Sequence, residues 1–212
     1  NHGQGIWRVF YDERENPSVP AIIPPLPQAE ENPHALLAQI LTLPQPGTEF
    51  GRTRQDELLK KMPDAKNMLH AAALDEKSSL RQRMRAIRIV APDFEALPAD
   101  WLALLATDQH SEIRAQAVWL YGIRREAQDL SQVLKLLEDS DGLVRRRACE
   151  ALMRLSAHEE TVTAAALPLV KRLGDEDRQV RYSAMLALEH IPSEHWIDEV
   201  LAMAEENARN DT

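Results

Sequence analysis

The sequence predicts an all-α fold, a right-handed solenoid of about five stacked helical pairs. A frame of Asp, four residues, an aliphatic residue and Arg occurs four times, with the arginines 33, 31 and 36 residues apart. A stripe at helical spacing follows each Arg, and self-similarity at this period is typical of stacked helical pairs. The copies and their stripes are Asp75 to Arg81 with Met84 and Arg88, Asp108 to Arg114 with Ala117 and Tyr121, Asp139 to Arg145 with Ala148 and Leu152, and Asp175 to Arg181 with Ala184 and Leu188.

Each residue type of the frame can be explained physically. An Asp in a short turn can accept hydrogen bonds from the free N–H groups that begin the next helix, and its charge suits the positive end of that helix. An Arg one and a half turns into the helix lies near the same end, within reach of a carboxylate of its own or a neighbouring repeat. Apolar residues at helical spacing bury one side of the helix, and small alanines let helices approach closely.

Residues 64–191, which contain all four copies, resemble the HEAT repeat family. The likeness is to the short bacterial type that also occurs in phycobilisome-lyase-like repeat proteins. This resemblance implies an α-solenoid in which Asp and Arg residues form a ladder along the stack. The expected ladder residues are Asp75, Arg81, Asp108, Arg114, Asp139, Arg145, Asp175 and Arg181.

The chain before residue 32 differs in character. Residues 6–11 predict one short strand, and residues 12–32 hold five prolines among acidic residues, which predicts an extended linker. Residues 5–9 resemble the last strand of the β-propeller that precedes HEAT repeats in large haem-containing dehydrogenase-like proteins of planctomycetes; an arm packed on the first helices is the alternative. We expect an extended arm at 1–31 and a solenoid with a C-terminal capping helix at 32–212, together a module of a larger chain.

From residue 32 onwards, capping residues, prolines and apolar spacing predict a series of helices. Asn32 and Pro33 form a cap with proline at the first helical position, which predicts a helix over 34–43. A helix over 52–62, beginning at Arg52, resembles a first repeat without the Asp. Pro168 is expected to kink or shorten its helix. The other first helices are predicted near 64–74, 98–106, 127–138 and 159–173, the second helices near 78–91, 111–124, 142–156 and 177–191, and the capping helix near 193–208.

The sequence predicts a protein that is not an enzyme. It has no His pair at zinc-site spacing, no His-Glu-x-x-His, no Gly-x-Ser-x-Gly and no glycine-rich phosphate loop. The single cysteine, Cys149, stands where the repeat favours a small buried residue and excludes an internal disulfide. No apolar run approaches the ~20 residues that a membrane-spanning helix needs. We expect no catalytic, cofactor-binding or metal-binding residues, no cofactor and no membrane insertion.

The charge distribution and the fold together predict the partner. Residues 77–155 carry 13 Lys and Arg against 11 Asp and Glu, although the net charge of the chain is -9. A solenoid gains stability from its core and leaves a long groove free for variable residues. We therefore predict a non-catalytic scaffold whose second helices bind, on the concave face, a protein partner or a neighbouring domain of the parent chain. The candidate partner-binding residues are Arg83, Arg85, Trp119, Arg124, Arg146 and Tyr182.

Two alternatives stay open. The arginines of the second helices could bind nucleic acid, although the net charge of -9 repels phosphate at long range, and we do not expect this partner. The family resemblance also allows an accessory domain of a haem-containing, dehydrogenase-like or chromophore-lyase-like protein, and the resemblance to the propeller proteins implies a periplasmic or secreted location. The isolated chain is expected to be a monomer.

Overall fold

A computed structural model describes residues 32–210 of the 212-residue chain, with side chains through residue 206. This part of the chain forms eleven α-helices and three short 3₁₀ segments and no strand. The helices build an α-solenoid, as the sequence predicts. The predicted strand and the proline-rich arm at 1–31 lie outside the described residues.

Ten of the helices form five consecutive pairs, and an eleventh follows them. Within each pair the two helices pack on each other, and the second helices α6, α8 and α10 also pack side by side. The first helices are α1 (Pro33–Thr42), α3 (Ala65–Leu74), α5 (Ala99–Ala106), α7 (Leu130–Leu136) and α9 (Glu159–Arg172). The second helices are α2 (Glu49–Lys60), α4 (Leu80–Val90), α6 (Ser111–Arg124), α8 (Gly142–Leu155) and α10 (Arg178–Leu188), and the last helix is α11 (Ile197–Asn210).

Side-chain caps mark the starts of five helices. A cap accepts a hydrogen bond from an N–H group of the first turn that has no partner within the helix, and each is worth about 1 kcal/mol. The capping residues are Asn32, Thr48, Ser79, Asp141 and Asp177. At Ser79 the cap is reciprocal, because the side chain of Gln82 accepts a hydrogen bond from the Ser79 amide.

Small residues of the second helices form the most buried layer of the stack. The buried pairs, a small residue and one four positions later, are Ala86 and Val90 in α4, Ala117 and Tyr121 in α6, Ala148 and Leu152 in α8, and Ala184 and Leu188 in α10. Three of these pairs are the predicted stripes. The prediction for the first copy was wrong: Arg88 is exposed and Met84 is only partly buried.

A longer turn explains this difference. The cap of α8 stands two residues after Asp139, and the cap of α10 stands two residues after Asp175. The cap of α4, Ser79, stands four residues after Asp75. The two extra residues shift every later position of α4 by two relative to the Asp.

The spacing between neighbouring second helices is uneven. α6 and α8 approach closely at Gly122, where a Cβ atom would lie only 3.0 Å from the Cα of Ala151. Between α4 and α6, the 3₁₀ segment Ala91–Ala96 packs against both helices. This segment also lines a cavity together with residues of both helices.

Two helices of the C-terminal part, α9 and α11, differ in how fully they pack. Pro168 lies inside α9 without shortening it, since the helix runs from Glu159 to Arg172. Buried neighbours such as Leu169 and Val170 hold this helix in place, and Ala164, four residues before the proline, lies on the exposed side, where water can satisfy its carbonyl. In α11, Val200 and Met203 pack against the core, whereas Ile197 and Leu201 are exposed, and its role as a capping helix stays a prediction.

A search of the described helices found none with the length and apolarity needed to cross a bilayer.

Candidate partner-binding groove

Arginines of the second helices pair with the turn aspartates of the following repeat. Arg114 donates through Nε and Nη2 to the two carboxylate oxygens of Asp139, both at 2.7 Å. Arg145 makes the same two hydrogen bonds to Asp175, both at 2.8 Å, and both side chains are buried. Such bidentate pairs are among the strongest polar contacts in proteins. The structure thus places these residues in a ladder that links consecutive repeats.

The same arginines also hold the turns of their own repeats. Nη1 of Arg114 donates to the carbonyl oxygen of Asp108 at 2.8 Å, and Nη1 of Arg145 donates to that of Asp139 at 2.9 Å. Each turn aspartate also accepts a hydrogen bond from the amide two residues later, as Asp139 does from Asp141 at 2.9 Å. One guanidinium therefore fixes two successive turns, and the fold needs an Arg at this position.

The ladder residue of α4 is Arg83 rather than Arg81, which corrects the prediction. Arg83 is 1% exposed, forms an ion pair with Asp108 and donates through Nε to the carbonyl of Ala73 at 2.9 Å. Arg81 is exposed. Counted from the cap, Arg83 occupies the place that Arg145 occupies in α8, because the turn before α4 is two residues longer.

The ladder ends at Asp75 and Arg181. Asp75 is exposed and accepts hydrogen bonds from the Ser78 hydroxyl and the Lys77 amide. Arg181, partly buried, donates through Nη1 to the carbonyls of Asp175 and Glu176. Arg52 makes a similar contact to the carbonyl five residues before it, that of Gly47, at 2.8 Å. α2 therefore repeats the arginine geometry although its turn has no Asp.

The ladder should make the stability of the protein sensitive to acid. Burial, the largest single effect, would raise the pKa of Asp108, Asp139 and Asp175, but the hydrogen bonds from the facing arginine and from a backbone amide, together with the arginine charge, outweigh it and lower each pKa below its ordinary value. A carboxyl whose pKa is lower in the folded state stabilises the fold above its unfolded pKa of about 4, and this stabilisation is lost as the pH falls through the folded pKa. We expect the urea midpoint to fall steeply below about pH 4, and less steeply in Asp175→Asn; equal slopes would contradict this origin.

A cavity lies between α4 and α6. It has a volume of about 600 Å³ and lies among apolar and aromatic side chains with two arginines beside them. Trp119 is only half-buried there, so its ring is accessible from solvent. The lining residues are Arg88, Ala91, Pro92, Phe94, Gln116, Trp119, Ile123 and Arg147.

A second cavity lies between α8 and α10. Its volume is about 400 Å³, and Tyr182, which is 55% exposed, lies at it together with Arg146. Arg146 and Arg147 both donate to the carboxylate of Glu150, at 2.9 and 2.7 Å. We call the surface formed by the residues of the two cavities the second-helix groove.

Three of the six predicted partner-binding residues lie in the second-helix groove, and three lie elsewhere. Trp119, Arg146 and Tyr182 lie in the second-helix groove, and Arg85 is half-buried with its Nη2 donating to Gln55 at 2.8 Å. Of the other two, Arg83 belongs to the ladder, and the side chain of Arg124 is 7% exposed and faces Asp129 outside these two cavities.

The six predicted partner-binding residues do not include Arg88, Arg147 and Phe94, which line the groove. Arg88 and Arg147 carry the right charge, but the sequence does not show which of many arginines are already paired. Phe94 lies in the 3₁₀ segment after α4, which no repeat pattern predicts.

The match to a family model agrees with this architecture. Residues 98–189, which contain α5 to α10 and three of the four frames, match the family model of HEAT repeats. HEAT repeats generally mediate protein–protein interactions. No curated protein matches the sequence. Among solved structures, the chain is similar to an engineered protein whose crystal structure comes from the Northeast Structural Genomics Consortium, with 20% identity, a TM-score of 0.46, and coverage of 77% of this chain and 81% of that chain.

Proposed function

We propose that the protein is a non-catalytic scaffold that binds an extended polypeptide segment of a partner, or of a neighbouring domain, in the second-helix groove. The observation that carries the proposal is the cavity at Trp119. An accessible Trp beside Phe94 and Ile123 can bury an apolar side chain of the segment. Arg88 and Arg147 lie at the same cavity, where they can contact carboxylates that flank this side chain.

Charge complementarity supports an acidic segment. Arg88, Arg146, Arg147 and Arg154 line the two cavities, against one acidic residue, Glu150. Glu150 already accepts hydrogen bonds from Arg146 and Arg147, so it fixes their position and neutralises part of their charge. The remaining positive charge suits carboxylates spaced along a peptide, with an apolar residue between them.

The experiment is a selection from a displayed random-peptide library on the full chain. We expect enriched peptides with acidic residues next to an aromatic or aliphatic residue. Arg88→Glu should weaken their binding about tenfold, since a lost hydrogen bond to a charged group is worth about 1.5–3 kcal/mol. Trp119→Ala should weaken binding by a similar factor.

The matched control is Lys135→Glu on α7, which reverses an exposed charge on a first helix. This variant should bind the selected peptides as the parent does. A selection without enrichment, or peptides that bind Arg88→Glu as tightly as the parent chain, would refute the proposal.

Nucleic acid is the competing ligand of the same arginines. Binding to single- or double-stranded DNA with an affinity that falls steeply with salt and is lost in Arg88→Glu would replace the proposal. The haem-linked and lyase-like alternatives rest on the sequence resemblance alone and stay predictions.

A further inference from the structure

We propose that Arg124, Arg125 and Arg154 form a carboxylate-binding site that receives an acidic side chain of the bound segment. This inference rests on the proposed function and names one anchor within it. The three arginines line a separate cavity of about 480 Å³ with Phe94, Glu95 and Ile123. Phe94 and Ile123 also line the cavity at Trp119, so the two cavities adjoin.

The first observation is that Arg124 has a buried guanidinium with hydrogen-bond donors that lack a partner. Its side chain is 7% exposed, and Nε and Nη1 are buried without a hydrogen-bond partner. The nearest acid is Asp129, whose Oδ2 lies 3.7 Å from Nε, beyond hydrogen-bond distance. A buried guanidinium with free donors is costly. A carboxylate that enters this cavity can accept from the fork of the guanidinium and offset that cost.

The second observation is the left-handed backbone conformation of Arg125. Arg125 follows α6 in the left-handed conformation, with φ 56° and ψ 32°, where glycine is the usual residue. Its N–H donates to the carbonyl of Tyr121 at 3.2 Å, and the ring of His158 donates through Nε2 to its carbonyl at 2.8 Å. The turn is thus fixed from both sides, and it carries an exposed arginine at a position where glycine would cost less.

Arg154 completes the set from the neighbouring helix. It extends from the last turn of α8, and its Nη1 donates to the carbonyl of Glu150 at 3.3 Å. Three guanidinium groups from α6, its C-terminal turn and α8 therefore line one cavity, against a single lining acid, the exposed Glu95.

The surroundings of the three arginines fit the acidic side chain of a peptide. Two carboxylates, Glu95 at the cavity and Asp129 facing Arg124, already offset part of the positive charge. Phe94 and Ile123 connect the site to the apolar cavity, which suits a peptide in which an acidic residue follows an apolar one.

The test uses ¹⁵N-labelled full-length chain and two synthetic peptides, acetyl-Glu-Glu-Leu-Phe-Glu-Glu-amide and its Gln-for-Glu counterpart. We expect the acidic peptide to shift the Nε–Hε resonance of Arg124, identified by its loss in Arg124→Gln. Arg124→Gln should weaken binding about tenfold. Asp129→Asn, which removes a competing carboxylate, should preserve or strengthen binding.

A second variant separates binding from folding. Arg125→Gly places the preferred residue in the left-handed turn, so its melting temperature should stay equal or rise, while its affinity for the acidic peptide should fall several-fold. A purely structural role for Arg125 predicts no loss of affinity.

Three outcomes would overturn the inference: an unshifted Arg124 resonance, equal binding of the Gln peptide, or binding of inorganic phosphate but not of the acidic peptide. If peptides selected in the groove bind Arg124→Gln and the parent equally well, the carboxylate site fails and the proposed function stands. If no peptide binds and Arg88→Glu changes nothing, the proposed function itself fails.

Discussion

Replacing Arg83 by Ala is expected to lower the free energy of unfolding by about 3–5 kcal/mol, whereas Arg81→Ala should change it by less than about 0.5 kcal/mol. Arg83 is fully buried, pairs with Asp108 and donates to the carbonyl of Ala73, so its removal leaves a buried carboxylate and a carbonyl without their partner. Arg81 is exposed. The repeated sequence frame alone predicts the opposite ranking.

The two variants are a matched pair. Both remove one positive charge and introduce the same residue into the first turn of α4, so their effects on net charge, helix propensity and helix dipole are alike. Urea unfolding followed by circular dichroism measures the difference, with the slope of the transition checked because repeat proteins can unfold in steps. Equal losses in the two variants, or a larger loss in Arg81→Ala, would show that Arg83 is not the ladder residue.

Gly122→Leu is expected to destabilise the protein by about 1–3 kcal/mol or more. At Gly122, α6 lies so close to α8 that a Cβ atom would be 3.0 Å from Cα and 3.1 Å from Cβ of Ala151. Leu extends further than a Cβ, so the two helices must separate. Because Leu has a high helix propensity, a loss of stability reports the lost space and not the backbone preference.

The control is Gly174→Ala, in the exposed turn after α9, where a Cβ atom would meet only the carbonyl of Lys171 at 3.7 Å. This variant should retain the thermal midpoint of the parent within a few degrees. If Gly122→Leu also retains it, α6 and α8 are not packed as closely as described.

Much of the architecture could be predicted from sequence because it depends on local rules. Asn32 before Pro33 predicts the start of α1, and the helical spacing of Ala117 and Tyr121 predicts the buried side of α6. A turn aspartate followed by an arginine at fixed distance predicts repeats that stack. Each of these patterns extends over about ten residues or fewer, so it can be recognised from the sequence alone.

The candidate site could not be predicted to the same extent. α4 contains four arginines within eight residues, and only the stacked structure decides that Arg83 is buried and Arg88 lines a cavity. The reason is the two-residue extension of the turn before Ser79, whose effect on register appears only when the neighbouring repeat supplies Asp108.

The sequence by itself determined the helices, their pairing and the ionic chemistry of the ladder, because caps, helical spacing and the Asp-to-Arg frame are local. The tertiary structure decided which charges are paired and which are free. Arg124 faces Asp129 at 3.7 Å without a hydrogen bond, and Trp119 is half-buried at a cavity that it shares with Phe94, because the 3₁₀ segments that carry Asp129 and Phe94 pack against neighbouring helices. The groove is formed by residues of α4, α6, α8 and α10, so no single stretch of the chain specifies it.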